Sequence, residues 1–142
     1  MSGEVRVSGV ENNWFQQVIK ARSHELIADE PLDFGGSNLG PTPYELLLSA
    51  LGSCIAITVR MYAKKKEWPL LDVIVELKHQ RIHAKDCEEC EEKDGYIDVI
   101  DKRVEFVGEL SSEQYARLTE IAGRCPVHRT LEGTIKIRQV ET

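Results

Sequence analysis

Apolar residues recur along this chain with two different periods, and the switches between them predict the order of elements. Glu4 to Val10 and Trp14 to Ala28 read as strands, the second weakly patterned. From Asp29 to Pro41 the pattern lapses into Gly, Pro and Asn, the mark of a loop that carries function or is simply a long turn. Thr42 is then a good helix N-cap, Pro43 suits the first helical position, and Glu45 stands three after Thr42, completing a capping box. The helix is expected from Pro43 to about Lys66, where Trp68-Pro69 stops it. Leu47, Leu51, Cys54, Thr58 and Met61 follow helical spacing down one face, while Leu46, Leu48, Ala50, Ile55 and Ile57 lie elsewhere around it. A helix apolar nearly all round has to be covered nearly all round. One small sheet and one further helix hardly suffice, so a second subunit is expected.

Leu70 to His83 is the clearest strand, with Val73, Val75, Leu77, His79, Arg81 and His83 on one face by period two. An acidic loop, Asp86 to Gly95, leads to a return strand, Tyr96 to Gly108, with Val104 and Phe106 on one face. Ser111 and Gln114 form a second capping box, opening a helix that carries Tyr115, Leu118, Ile121 and Ala122 and ends near Gly123-Arg124-Cys125-Pro126. A final strand is expected over Gly133 to Val140, with Ile135 and Ile137 inward and Lys136 and Arg138 outward. The order is that of an α+β fold, helices on antiparallel sheet, in one domain spanning residues 1–142.

Charge narrows the possible partners. The formal net charge of -6 and pI near 5.3 argue against nucleic acid, which needs a basic face, and against anionic membrane surfaces. No stretch approaches the ~20 apolar residues of a membrane span; the longest apolar region, Leu46 to Ile57, is broken by Ser49, Gly52 and Ser53. Met1 to Val10 has no basic segment followed by an apolar one, so a signal peptide is not expected. A cytoplasmic chain follows as the expectation, with its four cysteines reduced at rest.

Two of those cysteines stand apart. Cys54 lies mid-helix and Cys125 lies where the second helix ends. Taken singly, each reads first as a small buried hydrophobe. Burial raises a thiol above its usual pKa of about 8.5, so reactivity would need a nearby cation, for which Arg22, Arg60, Arg124 and His128 are the candidates. The other two sit in the run His79-x3-His83-x3-Cys87-x2-Cys90. Its Cys-x2-Cys spacing fits zinc. His79 and His83 would stand about 13 Å apart on a straight strand, so His83, Cys87 and Cys90 form the feasible set. A redox pair and ordinary hairpin thiols are the other readings. The acids Asp86, Glu88, Glu89, Glu91 and Glu92 are most simply a solvated tip, and they would hinder thiolate formation.

Several segments together resemble one family. Ala28-Asp29-Glu30-Pro31, Gly35-Gly36, Gly40-Pro41-Thr42-Pro43, Glu45-Leu46-Leu47-Leu48, Ala50-Leu51-Gly52-Ser53-Cys54 and Cys125-Pro126-Val127-His128 closely resemble the osmotically inducible and organic-hydroperoxide-resistance proteins, the OsmC/Ohr family. The resemblance implies an antiparallel sheet wrapped around a long central helix in an intertwined homodimer. It implies that Cys54 and Cys125 meet in space. It also implies thiol peroxidase chemistry on an organic hydroperoxide: Cys54 attacks, Cys125 resolves the sulfenic acid as a disulfide, and an external dithiol such as a lipoyl protein restores both thiols. No cofactor is required for such a cycle.

In the hydroperoxide-resistance branch a Glu two residues into the helix pairs with an Arg to hold the thiolate. Here Tyr44 follows Pro43 and Glu45 comes one later, a turn of about 100°. Arg22 is the nearest substitute for the arginine, and His24 makes an i, i+2 pair with it on one strand face. Cys54, Cys125, Arg22 and Glu45 are thus the catalytic candidates, and His24, Tyr44, Leu51 and His128 the pocket candidates. A small-ligand or zinc-binding protein on the same scaffold, or a redox sensor without turnover, is the competing reading.

Overall fold

The first strands form an antiparallel meander in which each turn is set by one residue with positive φ. In the computed structural model, which describes residues 3–91 and 93–141, β1 (Arg6–Val10), β2 (Asn13–Ala21) and β3 (His24–Ala28) lie in the order β1-β2-β3. Asn12 at φ 67° turns β1 into β2, and Arg22 at φ 55° turns β2 into β3, with Ala21 paired to His24. The single strand expected over Trp14 to Ala28 is therefore a hairpin. Arg22 and His24 do not share a strand face, because Arg22 occupies the two-residue turn. Left-handed φ costs a non-glycine residue local strain, and the ladder on both sides holds it there.

The loop after β3 is organised by Asp29, which is 2% exposed. Its carboxylate accepts from the backbone N–H groups of Glu30, Ser37 and Leu39, at 2.7, 3.3 and 3.2 Å. Gly36 and Gly40 let this loop close: a Cβ would lie 2.0 Å from the Glu30 carbonyl oxygen at the first and 2.2 Å from that of Ile27 at the second. The loop delivers the chain to α1 (Pro43–Lys66). The expected capping box is formed, with Thr42 N–H donating to Glu45 Oε1 at 2.8 Å and Glu45 N–H to Thr42 Oγ1 at 3.2 Å. The chain up to Leu47 is one compact unit, and the chain from Leu48 is another.

In the second unit, α1 continues and is followed by the long hairpin of β4 (Leu70–His83) and β5 (Tyr96–Gly108), then α2 (Ser112–Ala122) and α3 (Pro126–Glu132). Ser111 and Gln114 cap α2 reciprocally, as expected. The core gathers Leu51, Ile55, Val59 and Ala63 of α1 against Val73, Phe106, Leu118 and Ile121. The buried stripe of α1 is thus rotated from the expected one: Ile55 and Val59 are fully buried, whereas Met61 is 67% exposed. Hydrophobicity all round the helix left the stripe undetermined, and the side chains of β4, β5 and α2 selected it. Full burial of Ile55 and Leu118 stabilises the unit by roughly 1.5–3 kcal/mol each. By length and composition α1 could cross a membrane. Its serine, threonine and glycine residues interrupt the apolar run without removing that property. In this fold it is the core helix.

Two expectations for the C-terminal part change. Pro126–Glu132 is a helix that the apolar pattern did not reveal. The strand expected over 133–140 is not formed: among the described residues none lies alongside to take its backbone groups, and Ile135 and Ile137 stand 54% and 92% exposed. Alternation marks a segment as able to pair, but a strand exists only with a partner.

Candidate active site

Cys54 sits on α1 one turn beyond Leu51, half-buried, and Cys125 is fully buried at the N-cap of α3. Pro126 takes the first position of α3, where its missing N–H is no loss, and Cys125 Sγ accepts from the His128 backbone N–H at 3.2 Å. The sulfur faces the core, where Cys54 of α1 packs against the same cluster, so the two thiols lie near enough to influence each other. Both thiols are free. Two cysteines far apart in sequence are thereby juxtaposed at the edge of the core.

The environment of the pair is asymmetric. Burial pushes the Cys125 thiol up from its usual range, and the Cys54 contact pushes the same way. The backbone N–H groups of His128 and Val127 act against this and do not overcome it. Cys125 is therefore held as a protonated thiol at neutral pH, while Cys54 is the sulfur with access to solvent.

A cleft of about 240 Å³ is lined by Leu51, one turn before Cys54, and by His128, one turn after Cys125, though by neither cysteine itself. Ile100 and Leu131 complete its apolar wall, and Asp98, Lys102 and Glu132 add polar groups. His128 Nε2 contacts Glu132 Oε1 at 2.6 Å, and its Nδ1 faces Lys102 Nζ at 3.4 Å, which orients the ring as donor to the carboxylate and acceptor from the lysine. Leu51 and His128 were pocket candidates from the sequence. Asp98, Ile100 and Lys102 were missed, although extending the period-two face of Val104 and Phe106 back along β5 picks them out. A larger cavity of about 500 Å³, lined by Ile57, Arg60, Met61, Ala63, Lys64, Trp68 and Leu70, includes no cysteine.

The remaining candidates fall elsewhere in the chain. Arg22, His24, Tyr44 and Glu45 all belong to the first unit. Arg22 is exposed in its turn, His24 and Tyr44 are exposed, and Glu45 closes the capping box of α1. His79 Nε2 meets Asp98 Oδ1 across the hairpin at 2.9 Å. The zinc set of His83, Cys87 and Cys90 is not assembled. Cys87 and Cys90 are joined as a disulfide, which leaves no thiolate to ligate, and the His83 ring packs on Tyr96 at 4.4 Å between centroids. Among the described residues no group of three or more His, Cys, Asp or Glu is placed to hold a metal ion. Glu92, one of the acids of the tip, lies outside the described residues.

The elements define an α+β protein with antiparallel sheets and one long helix, carrying two free thiols near each other. Residues 35–139 match the family model described as OsmC-like protein, and the chain belongs to that family. Solved structures agree in fold. The OsmC-like protein of Mycoplasma pneumoniae superposes with a TM-score of 0.71 at 18% identity, over 94% of this chain and 89% of the other. An organic hydroperoxide resistance protein from Legionella pneumophila gives 0.63 at 16% identity, over 94% and 90%. The organic hydroperoxide resistance protein OhrB of Bacillus subtilis gives 0.60 at 16% identity, over 94% and 92%. No curated protein sequence matches the chain closely enough to serve as a relative.

Proposed function

We propose that this protein is a homodimeric thiol peroxidase that reduces organic hydroperoxides. The observation that carries the reading is the nearness of Cys54 and Cys125 at one core cluster, with a partly apolar cleft lined by residues one turn from each. The Cys54 thiolate attacks the distal oxygen of ROOH. The O–O bond breaks, ROH leaves after taking a proton, and Cys54 becomes a sulfenic acid. Cys125 attacks that sulfur, water leaves, and a Cys54–Cys125 disulfide forms. An external dithiol, of the lipoyl type by family resemblance, reduces it by exchange and is itself oxidised to a disulfide. The cleft suits a small apolar R group lying along Leu51, Ile100 and Leu131.

Arg22 enters the proposal as the nearest substitute for the family's arginine, the cation that favours the Cys54 thiolate, and Glu45 as the residue next to the family's glutamate position. Arg22→Met keeps the stem, removes the charge, and should slow alkylation of Cys54 at neutral pH. A homodimer is supported by the exposed apolar side chains Ile57 and Met61 of α1 and by residues 134–140, whose sequence alternates as a strand does but which pair with no other segment among the described residues. Sedimentation should then give about twice the 16.1 kDa chain mass.

The deciding experiment is a coupled assay with cumene hydroperoxide and dihydrolipoamide. Cys54→Ser should abolish peroxide consumption. Full activity in Cys54→Ser would end the proposal, and a single oxidation without turnover in the wild type would favour a redox sensor.

A further inference from the structure

The disulfide at the tip of the long hairpin has no part in the chemistry above. It lies beyond the last ladder pair of the arm, His83 with Tyr96, and links residues three apart with a Cα–Cα distance of 5.4 Å. A bridge across so short a loop removes little freedom from the unfolded chain, so it is poorly suited to act as a staple. Neither sulfur belongs to the hydrophobic core cluster. The loop around it is nonetheless built. Ala84 is buried and its N–H donates to the Gly95 carbonyl, the Cys87 N–H donates to the Ala84 carbonyl, and Lys93 Nζ donates to the Cys87 carbonyl. Below it, His83 and Arg81 both pack on the Tyr96 ring.

The two sulfurs differ in access. Cys87 is 7% exposed, whereas Cys90 is only partly covered. We propose that Cys87–Cys90 is a second thiol–disulfide exchange site that takes two electrons from an external dithiol. One thiolate of that dithiol attacks Cys90 Sγ, and the Cys87 sulfur leaves and is protonated. The second thiol of the donor then attacks the sulfur now bonded to Cys90, releasing the Cys90 thiol and a cyclic donor disulfide. Overall one dithiol is oxidised and Cys87 and Cys90 are reduced. A monothiol is a poor donor here, since Cys87, three residues from Cys90, recloses the mixed disulfide before a second molecule arrives.

Charged side chains of both signs surround the couple. Glu89 Oε2 stands 3.9 Å from Cys87 Sγ, and Asp86, Glu88 and Glu91 lie in the same loop. A carboxylate at that distance opposes negative charge on the sulfur, while Lys93 at the Cys87 carbonyl acts the other way. The site is also separate from Cys54 within the chain. Leu77, whose Cδ1 would touch a Cβ on Gly52 at 3.0 Å, is six residues of strand from His83, about 20 Å.

The test uses the full chain carrying Cys54→Ser and Cys125→Ser, so that its outcome is independent of peroxidase activity. The wild type, read by site-resolved alkylation and mass mapping of the tip peptide, gives the same information if that variant does not fold. In dihydrolipoamide the two tip thiols should appear together as one two-electron couple. Equal thiol as glutathione should reduce the pair at least tenfold more slowly. Cys87→Ser should accumulate a mixed disulfide at Cys90 with a chromogenic disulfide at least tenfold faster than Cys90→Ser does at Cys87. Three results would overturn the proposal: tip thiols that stay free in oxidising buffer, a disulfide that excess dihydrolipoamide does not open, or equal reactivity in the two single variants.

Discussion

Replacing Cys125 tests the site most directly, because its sulfur has two separable roles. It is the N-cap of α3, accepting from His128 N–H at 3.2 Å, and in the proposed cycle it is the thiol that resolves Cys54. Cys125→Ser replaces a weak sulfur acceptor by a good capping oxygen at the cost of burying a hydroxyl, so the two effects should offset to within about 1 kcal/mol. Cys125→Ala loses the cap, about 0.5 kcal/mol for a sulfur acceptor, and leaves a fully buried void near the size of a methyl group, about 1 kcal/mol more. An unfolding entropy of about 2.1 cal/mol/K per residue converts that loss to a fall of about 5 °C in Tm for this chain. The two variants should therefore differ in Tm yet behave alike with peroxide. Each should consume one equivalent of cumene hydroperoxide, hold the oxidised Cys54 as a dimedone-reactive sulfenic acid, and turn over slowly or not at all with dihydrolipoamide. Calorimetry and intact-mass analysis after one equivalent of peroxide read both halves. Wild-type steady-state turnover in Cys125→Ser would refute the resolving role. Equal Tm values for Ser and Ala would refute the cap.

The raised Cys125 thiol also sets a pH dependence: the folded reduced chain keeps a proton that the unfolded chain gives up at lower pH. Its contribution to stability is complete below the ordinary thiol range and is lost as pH rises through the folded value, so urea midpoints should fall more steeply above pH ~8.5 in reduced wild type than in Cys125→Ser. For the same reason, closure of the disulfide from the sulfenic acid, followed by rapid-mixing fluorescence or quench, should accelerate with pH through and beyond that range. Asp29→Ala should leave three backbone donors without their acceptor and destabilise the loop by about 3 kcal/mol, seen as faster hydrogen exchange at Ser37 and Leu39. Asp29→Asn keeps one accepting oxygen and should lose less; equal exchange rates in the two variants would count against the role of the carboxylate.

The parts of this protein that were legible in the sequence are those decided by neighbours along the chain. Both capping boxes, the stop at Trp68-Pro69 and the β4–β5 alternation depend on interactions within a few residues or within one strand. The motifs around Cys54 and Cys125 also carried the family resemblance, which the match over residues 35–139 bears out.

Tertiary structure decided what local pattern left degenerate. An all-round apolar α1 offers several stripes of similar burial energy, and the shape of the opposing side chains chose Leu51, Ile55, Val59 and Ala63. Trp14–Ala28 carried too weak an alternation to mark its own interruption. The turn at Arg22 needed the pairing of β2 with β3 to hold a strained φ. The helix at Pro126–Glu132 had one local signal, proline at its first position, and its role in aiming Cys125 at α1 emerges only once the core is packed. Residues 134–140 show the converse, because an alternating segment has no strand geometry of its own until another backbone takes its hydrogen bonds.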